Sequence, residues 1–301
     1  MTHSIEIDNL SKSYGKLVAL DKVSLTVNKG ELFGLLGPDG AGKTTMYKIL
    51  ATLMTPDSGS ASMEGLDVVK DYRKIRLKIG YMPEKFSLYQ DMSVMENLKF
   101  YASLFGVTVK QNYDLIAPIF GQLEKFPKRM AGNLSGGMQQ KLALSCALIH
   151  RPDILLLDEP TTGVDAVSRD EFWQMLSGLK KQGITILVST SYMDEATRCE
   201  RLAMIDKGHI LRIGTPQQLV DGLDETIYNA VAPDMFKLLT QLQQMPGVTN
   251  CYTFGATLHV VTDTNFDVEK TLAALEAHGV GNAKIYPAKG DIEDLFIKLT
   301  Q

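Results

Sequence analysis

Apolar side chains recur at every second position in residues 4–8 (Ile5, Ile7) and 23–27 (Val23, Leu25, Val27). That alternation predicts two strands with one face buried. A turn at Asn28, Lys29 and Gly30 leads into 32–36, apolar throughout apart from Gly34, as a strand covered on both faces requires. A glycine-rich stretch at 37–42 precedes a predicted helix from Lys43 to about Leu53, and residues 55–59 are dense in turn formers. Residues 93–150 are mostly helical in pattern, interrupted at Pro118, Pro127 and the glycines near 136. Two further apolar strands, 154–157 and 184–188, flank a helix at 167–181, and strand–helix–strand predicts a parallel sheet. Residues 201–205 and 209–213 predict a closing hairpin around Asp206, Lys207 and Gly208.

Beyond Gly214, Thr215 and Pro216 the pattern changes to β-α-β-β-α-β: strand 226–231, helix 234–245, strands 248–254 and 257–262, helix 267–278 and strand 282–286. This is a ferredoxin-like order. A last amphipathic helix, 291–299, places Ile292, Leu295, Phe296 and Leu299 on one stripe. The expected division is a first domain at 1–215 with a helical subdomain at about 85–150, a linker at 216–223, and a small α+β domain at 224–301. No internal repeat is visible.

Composition narrows the class. The 301 residues are 45% hydrophobic and 22% charged, ordinary globular values that exclude collagen-like and disordered chains. A formal net charge of -4 gives no reason to expect nucleic acid as a partner. Three cysteines (Cys146, Cys199, Cys251) are too widely spaced for a zinc cluster and read as reduced cytosolic thiols. The first residues have neither a basic nor an apolar segment and are not expected to be a signal peptide. No apolar run approaches the roughly 18 residues needed to span a bilayer, so membrane work is expected to proceed through a partner.

Three segments carry chemistry. Gly37, Pro38, Asp39, Gly40, Ala41, Gly42, Lys43 and Thr44 fit G-x-x-x-x-G-K-[ST], between a buried strand and a helix. The glycines let successive N–H groups face one point, and the helix dipole adds to the field. Lys43 should reach the outer phosphates of a nucleotide, and the Thr44 hydroxyl, followed by Thr45, should meet Mg2+. The apolar strand 154–157 ends in Asp158, placed to hold that metal, and Glu159, placed to orient or deprotonate an attacking water. Ser135, Gly136 and Gly137, followed by Gln139, open a helix far downstream of the first loop and form a second anion site. A single chain has no need for two such sites, whereas two chains facing head to tail do.

Together these segments resemble the nucleotide-binding subunit of ABC transporters over about residues 4–215. The resemblance implies a P-loop NTPase core: an α/β fold with a mainly parallel sheet, an antiparallel β subdomain and a helical subdomain. It implies ATP and Mg2+ as cofactors. It identifies 134–140 as the signature sequence, which in the family contacts ATP on the opposite subunit. Tyr14 falls where the family stacks an aromatic ring on adenine, 163–165 matches the D-loop, and 81–89 matches the segment that couples ATP to the membrane partner. Residues 80–84, 189–196 and 292–296 are similar to drug-resistance-type exporters, whose partner is an ABC-2 type permease on the cytoplasmic face of the inner membrane. The 37–40 loop with Thr190 and Ser191 is similar to the first half of tandem multidrug-efflux ATPases. The implied assembly is a homodimer or a heterodimer with another ATP-binding subunit.

Three positions depart from the family. Ser191 stands where a histidine usually bridges the γ-phosphate and the catalytic carboxylate, and losing such a charge-assisted contact costs about 1.5–3 kcal/mol. Glu84 replaces the usual glutamine, so an acceptor-only carboxylate faces the metal. Asp39 replaces asparagine or serine, adding negative charge beside the phosphates. These departures predict slow hydrolysis and keep a second reading open, a regulatory ATP-binding module. A soluble relative acting on ribosomes or DNA is disfavoured by the short helical insert and the slightly acidic charge.

Overall fold

The computed structural model describes residues 3–300. The chain forms two compact units that meet in sequence at Pro216 and Gln217. The first begins with β1 (His3–Tyr14) and β2 (Leu17–Asn28), then β3 (Leu32–Leu36), α1 (Lys43–Leu50), β4 (Ser58–Met63) and β5 (Leu66–Asp67). It continues through α2 (Tyr72–Arg76), β6 (Ile79–Met82), α3 (Val94–Leu104), α4 (Tyr113–Phe120), α5 (Gly136–Leu148), β7 (Ile154–Leu157) and α6 (Ala166–Lys181). It ends with β8 (Thr185–Thr190), α7 (Met193–Ala196), β9 (Arg201–Asp206) and β10 (His209–Gly214).

The central six-stranded sheet runs β10-β9-β3-β8-β7-β6. It is parallel except for the closing hairpin of β9 and β10. All residues of β3, β7 and β8 are buried, which is why β3 and β7 are nearly continuous apolar runs and β8 is apolar at 186–188. A second, antiparallel sheet runs β2-β1-β4-β5. One hydrophobic cluster fills the space between these sheets around α1, with Phe33, Tyr47 and Leu156 fully buried. Another collects α3, α4, α5 and α6 around Leu144, Phe120 and Trp173.

Several local expectations change. The first two strands are longer than their alternating cores, because irregularities in the β1–β2 register break the period without ending the pairing. Residues 58–59 enter β4, where pairing with β1 overrides their turn chemistry. The predicted helix after the glycine loop stops at Leu50, and Thr52 adopts a left-handed φ of 60°. Pro118 lies inside α4 rather than interrupting it.

The second unit contains β11 (Thr226–Val231), α9 (Met235–Leu242), β12 (Val248–Phe254), β13 (Thr257–Thr262), α10 (Val268–Ala277), β14 (Lys284–Ala288) and α11 (Ile292–Thr300). Its antiparallel sheet runs β12-β13-β11-β14, and Leu238, Leu242, Leu258, Val260 and Leu275 form its core. The segment read as a linker at 216–223 is largely helical: Pro216–Asp221 forms α8, with Leu219 buried. A proline at the first helical position and a single apolar anchor suffice for so short a helix.

Candidate functional site

The loop between β3 and α1 is bent by backbone contact. A side-chain carbon on Gly37 would stand 2.2 Å from the Ile205 carbonyl oxygen. One on Gly42, whose φ is 106°, would stand 2.3 Å from the carbonyl of Ala19. Both positions therefore exclude any larger residue. The loop is tied to the sheet by Gly37 N–H to the Thr190 carbonyl (3.3 Å) and by Gly208 N–H to the Ala41 carbonyl (3.0 Å). Among the described residues, the N–H groups of Gly40, Gly42, Lys43, Thr44 and Thr45 have no acceptor in the chain. They are the free donors of a helix start, all on one short bend.

Lys43 is only 4% exposed. Its ammonium donates to the carbonyls of Gly37 (2.6 Å) and Pro38 (2.9 Å) and pairs with Glu159 Oε1 at 2.8 Å. Glu159 is held on its other oxygen by the Thr162 hydroxyl at 2.9 Å. It adopts a φ of 48°, a left-handed backbone uncommon for a side chain of this size and of the kind that gathers at functional sites.

Asp158 follows the last residue of β7. The parallel register pairs Leu157 with Val188, which sets Asp158 beside Ser189. The Ser189 hydroxyl donates to Asp158 Oδ1 at 2.8 Å and accepts from Glu159 N–H at 2.9 Å. Asp158 Oδ2 is buried and unpartnered, as is the nearby Tyr47 hydroxyl on α1. Burial pushes the Asp158 carboxyl above the usual range, while the hydroxyls of Ser189 and Thr44 pull it back.

A groove of about 440 Å³ brings together Tyr14, Asp39, Gly40, Gly42, Lys43, Thr44, Thr45, Glu84 and Glu159. Its rim adds Leu17, Val18 and Ala19. Tyr14, 44% exposed, stands at the end of β1 with its hydroxyl on Met54 Sδ at 3.1 Å. Glu84 and Asp39 are exposed. Pro38 and Ala41 belong to the loop itself.

Ser135, Gly136, Gly137, Gln139 and Ser191 do not line this groove, and neither does the buried Asp158. The Ser135 hydroxyl caps its own helix, accepting from Met138 N–H at 3.4 Å. Gly136 is exposed beside it. Gly137 is buried because a side chain there would meet Ser168 Oγ at 2.6 Å, so packing against α6 alone demands glycine. The Gln139 amide donates to the Ala131 carbonyl at 3.2 Å. Ser191, half-buried after β8, makes no side-chain hydrogen bond among the described residues and does not line the groove. Sequence reading missed Ser189, Tyr47 and Thr162. Only Thr162 carried a signal, its position three residues after Glu159.

A family model described as ABC transporter matches residues 20–162. The chain is 39% identical over 285 residues to the probable multidrug ABC transporter ATP-binding protein YbhF of Escherichia coli strain K12, covering 93% of this chain and 49% of that protein. It thus spans about half the length of that relative. It is 36% identical over 307 residues to the Nod factor export ATP-binding protein I of Cupriavidus metallidurans, covering 100% of this chain and 98% of the relative. Among solved structures, a dimeric post-hydrolysis state of an ATP-binding cassette bound to ADP and Pi superposes with a TM-score of 0.64 at 27% identity, over 70% of this chain and 98% of that one. With this loop, these paired carboxylates and this sheet order, the chain belongs to the ABC transporter family of ATP-binding proteins.

Proposed function

We propose that the chain is the ATP-hydrolysing subunit of an exporter, driving a separate ABC-2 type permease from the cytoplasmic face of the inner membrane. No helix among the described residues is long and apolar enough to cross a membrane, which fits a subunit that relies on a membrane partner. The observation that carries the reading is one groove that gathers Lys43, Glu159 and the residues whose N–H groups are free (Gly40, Gly42, Lys43, Thr44 and Thr45), with the buried, unpartnered Asp158 Oδ2 on the residue next to Glu159. Such a surface suits a triphosphate. The apolar rim of Tyr14, Leu17 and Val18 suits a base.

The donor set fits Mg2+, which is bound by one or two protein oxygens together with phosphates. Thr44, Asp158 and Glu84 would hold it, and it would neutralise charge on the phosphates. Lys43 exchanges its contact with Glu159 for the outer phosphates. Glu159, oriented by Thr162, takes the proton of the attacking water. The exposed start of α5, led by Ser135, Gly136 and Gly137, completes the site of a facing chain, either a second copy or a sister ATPase. Closing on two nucleotides and reopening after hydrolysis supplies the work. The relatives named for multidrug and Nod factor export support an amphipathic cargo.

A second reading, a weakly hydrolytic regulatory subunit beside a competent ATPase, is favoured by Ser191, whose side chain has no hydrogen-bond partner among the described residues. Turnover of the purified chain, with Ser191→His and Glu159→Gln, tests both. Measurable hydrolysis, raised about tenfold by Ser191→His, supports a slow motor. Absence of turnover in both proteins favours the regulatory subunit. Failure of Glu159→Gln chains to associate under saturating MgATP, alone or with a sister ATPase, overturns the motor.

A further inference from the structure

Glu195 sits in α7, four residues after Ser191, and is 1% exposed. Its Oε1 accepts from the Thr161 hydroxyl at 2.6 Å, and its Oε2 accepts from the Thr190 hydroxyl at 2.6 Å. Oε1 also stands 3.5 Å from Arg169 Nε, a buried nitrogen without a hydrogen-bond acceptor. The Arg169 guanidinium lies 4.4 Å from the ring centre of Tyr192. One buried carboxylate thus joins three segments: the turn after Glu159, the end of β8, and the first turn of α6.

Each segment continues to an element of the nucleotide site. Thr190 accepts from Gly37 N–H, so the end of β8 is bonded to the phosphate loop. Thr161 and Arg169 bracket residues 163–165, and Asp165 caps α6. Ser168, one residue before Arg169, packs directly on Gly137 at the start of α5. The contacts form an unbroken path from the Lys43 loop to the Ser135 helix within one chain.

A buried carboxylate is costly to maintain, and an apolar residue of similar size would serve packing better. Its two hydroxyl bonds are short, whereas the Arg169 contact is ionic without being hydrogen-bonded. The arm toward α6 therefore has room to tighten. We propose that Glu195 is a positioning residue that makes the phosphate loop, residues 163–165 and the Ser135 helix start respond together to nucleotide. The proposal rests on the ATP-site reading above and adds to it the route by which one chain's own nucleotide changes the surface offered to its mate.

Hydrogen–deuterium exchange of the full chain with and without MgATP, together with steady-state turnover, tests it. Expected in the native chain is slower exchange at both 37–44 and 162–169 when MgATP saturates. Glu195→Gln keeps the side chain's shape and removes its charge. It should retain the response at 37–44, lose the one at 162–169, and lower kcat about tenfold with KM little changed. A Glu195→Gln chain that keeps both responses overturns the proposal. So does one that loses both together with thermal stability, since that result marks a purely structural residue. If Glu195→Gln does not fold, Thr161→Val, which removes only the Thr161 hydroxyl bond to Oε1 and leaves the Arg169 contact, is judged by the same criteria. A native chain whose residues 37–44 ignore MgATP removes the ATP-site reading and the relay with it. A response at 37–44 without one at 162–169 removes the relay alone.

Discussion

Lys43 Nζ and Glu159 Oε1 stand 2.8 Å apart, with both side chains nearly inaccessible to solvent. The residue proposed to bind phosphate and the one proposed to activate water thus neutralise each other. A triphosphate entering the groove competes with Glu159 for the ammonium and is repelled by the carboxylate.

Glu159→Gln should therefore tighten nucleotide binding as well as slow hydrolysis. Removing the charge is worth about 1–2 kcal/mol, roughly five- to thirtyfold in Kd. Turnover should fall about a hundredfold or more. Titration with a fluorescent ATP analogue and a phosphate-release assay read the two effects, and unchanged or weaker binding would contradict the competition.

The loop's two positive-φ glycines should differ in tolerance. Gly42→Ala sets a methyl 2.3 Å from the Ala19 carbonyl as well as straining φ, whereas Gly40→Ala has nothing within 4 Å. Gly40→Ala should cost about 1 kcal/mol. Gly42→Ala should cost about 3 kcal/mol or more and abolish nucleotide binding. Thermal melts and nucleotide titration on the two variants distinguish them.

Asp158 trades stability for its proposed metal site. Burial holds its native pKa above the ordinary range, so the native chain binds that proton more tightly than the unfolded chain. The charged form therefore costs stability at neutral pH, and the cost fades as pH falls through the native value toward the ordinary carboxylate value of about 4. Asp158→Asn should raise the Tm of the nucleotide-free chain at neutral pH, with the advantage shrinking as the buffer is acidified. The same variant should lose about a hundredfold in MgATP turnover. A lower Tm at neutral pH would refute the account.

In the second unit, Asp294 is 2% exposed. It accepts from the Tyr252 hydroxyl, from His259 Nδ1 at 2.6 Å and from Asp291 N–H at 2.7 Å. Asp294→Ala leaves buried donors without an acceptor and should cost about 3–5 kcal/mol. Cys251 offers the readout. Its thiol is buried on β12 and its pKa is pushed up to about 12 by that burial. Labelling of Cys251 should accelerate about tenfold or more in the variant as this unit opens, and an unchanged rate would show that the carboxylate is dispensable.

Local signals in the sequence were sufficient for the glycine-rich bend at 37–42, the buried strand before it, the helix after it and the position of the Asp158–Glu159 pair at the end of β7. Their chemistry lies in consecutive residues: free N–H groups on one bend, and carboxylates at the end of one apolar run. The β-α-β-β-α-β order beyond residue 224 was legible for the same reason, since each element carries its own period. Strand β4 was not, because serine and glycine carry little strand preference and the partner strand supplied it. Ser189 beside Asp158, and Glu195 between Thr161, Thr190 and Arg169, appear only once parallel register and helix packing bring distant segments together. Residues whose work is done on their neighbours in sequence announce themselves in the sequence. Those that act across a sheet or between helices acquire a role only from the tertiary fold, because side chains far apart along the chain meet only after the backbone has paired.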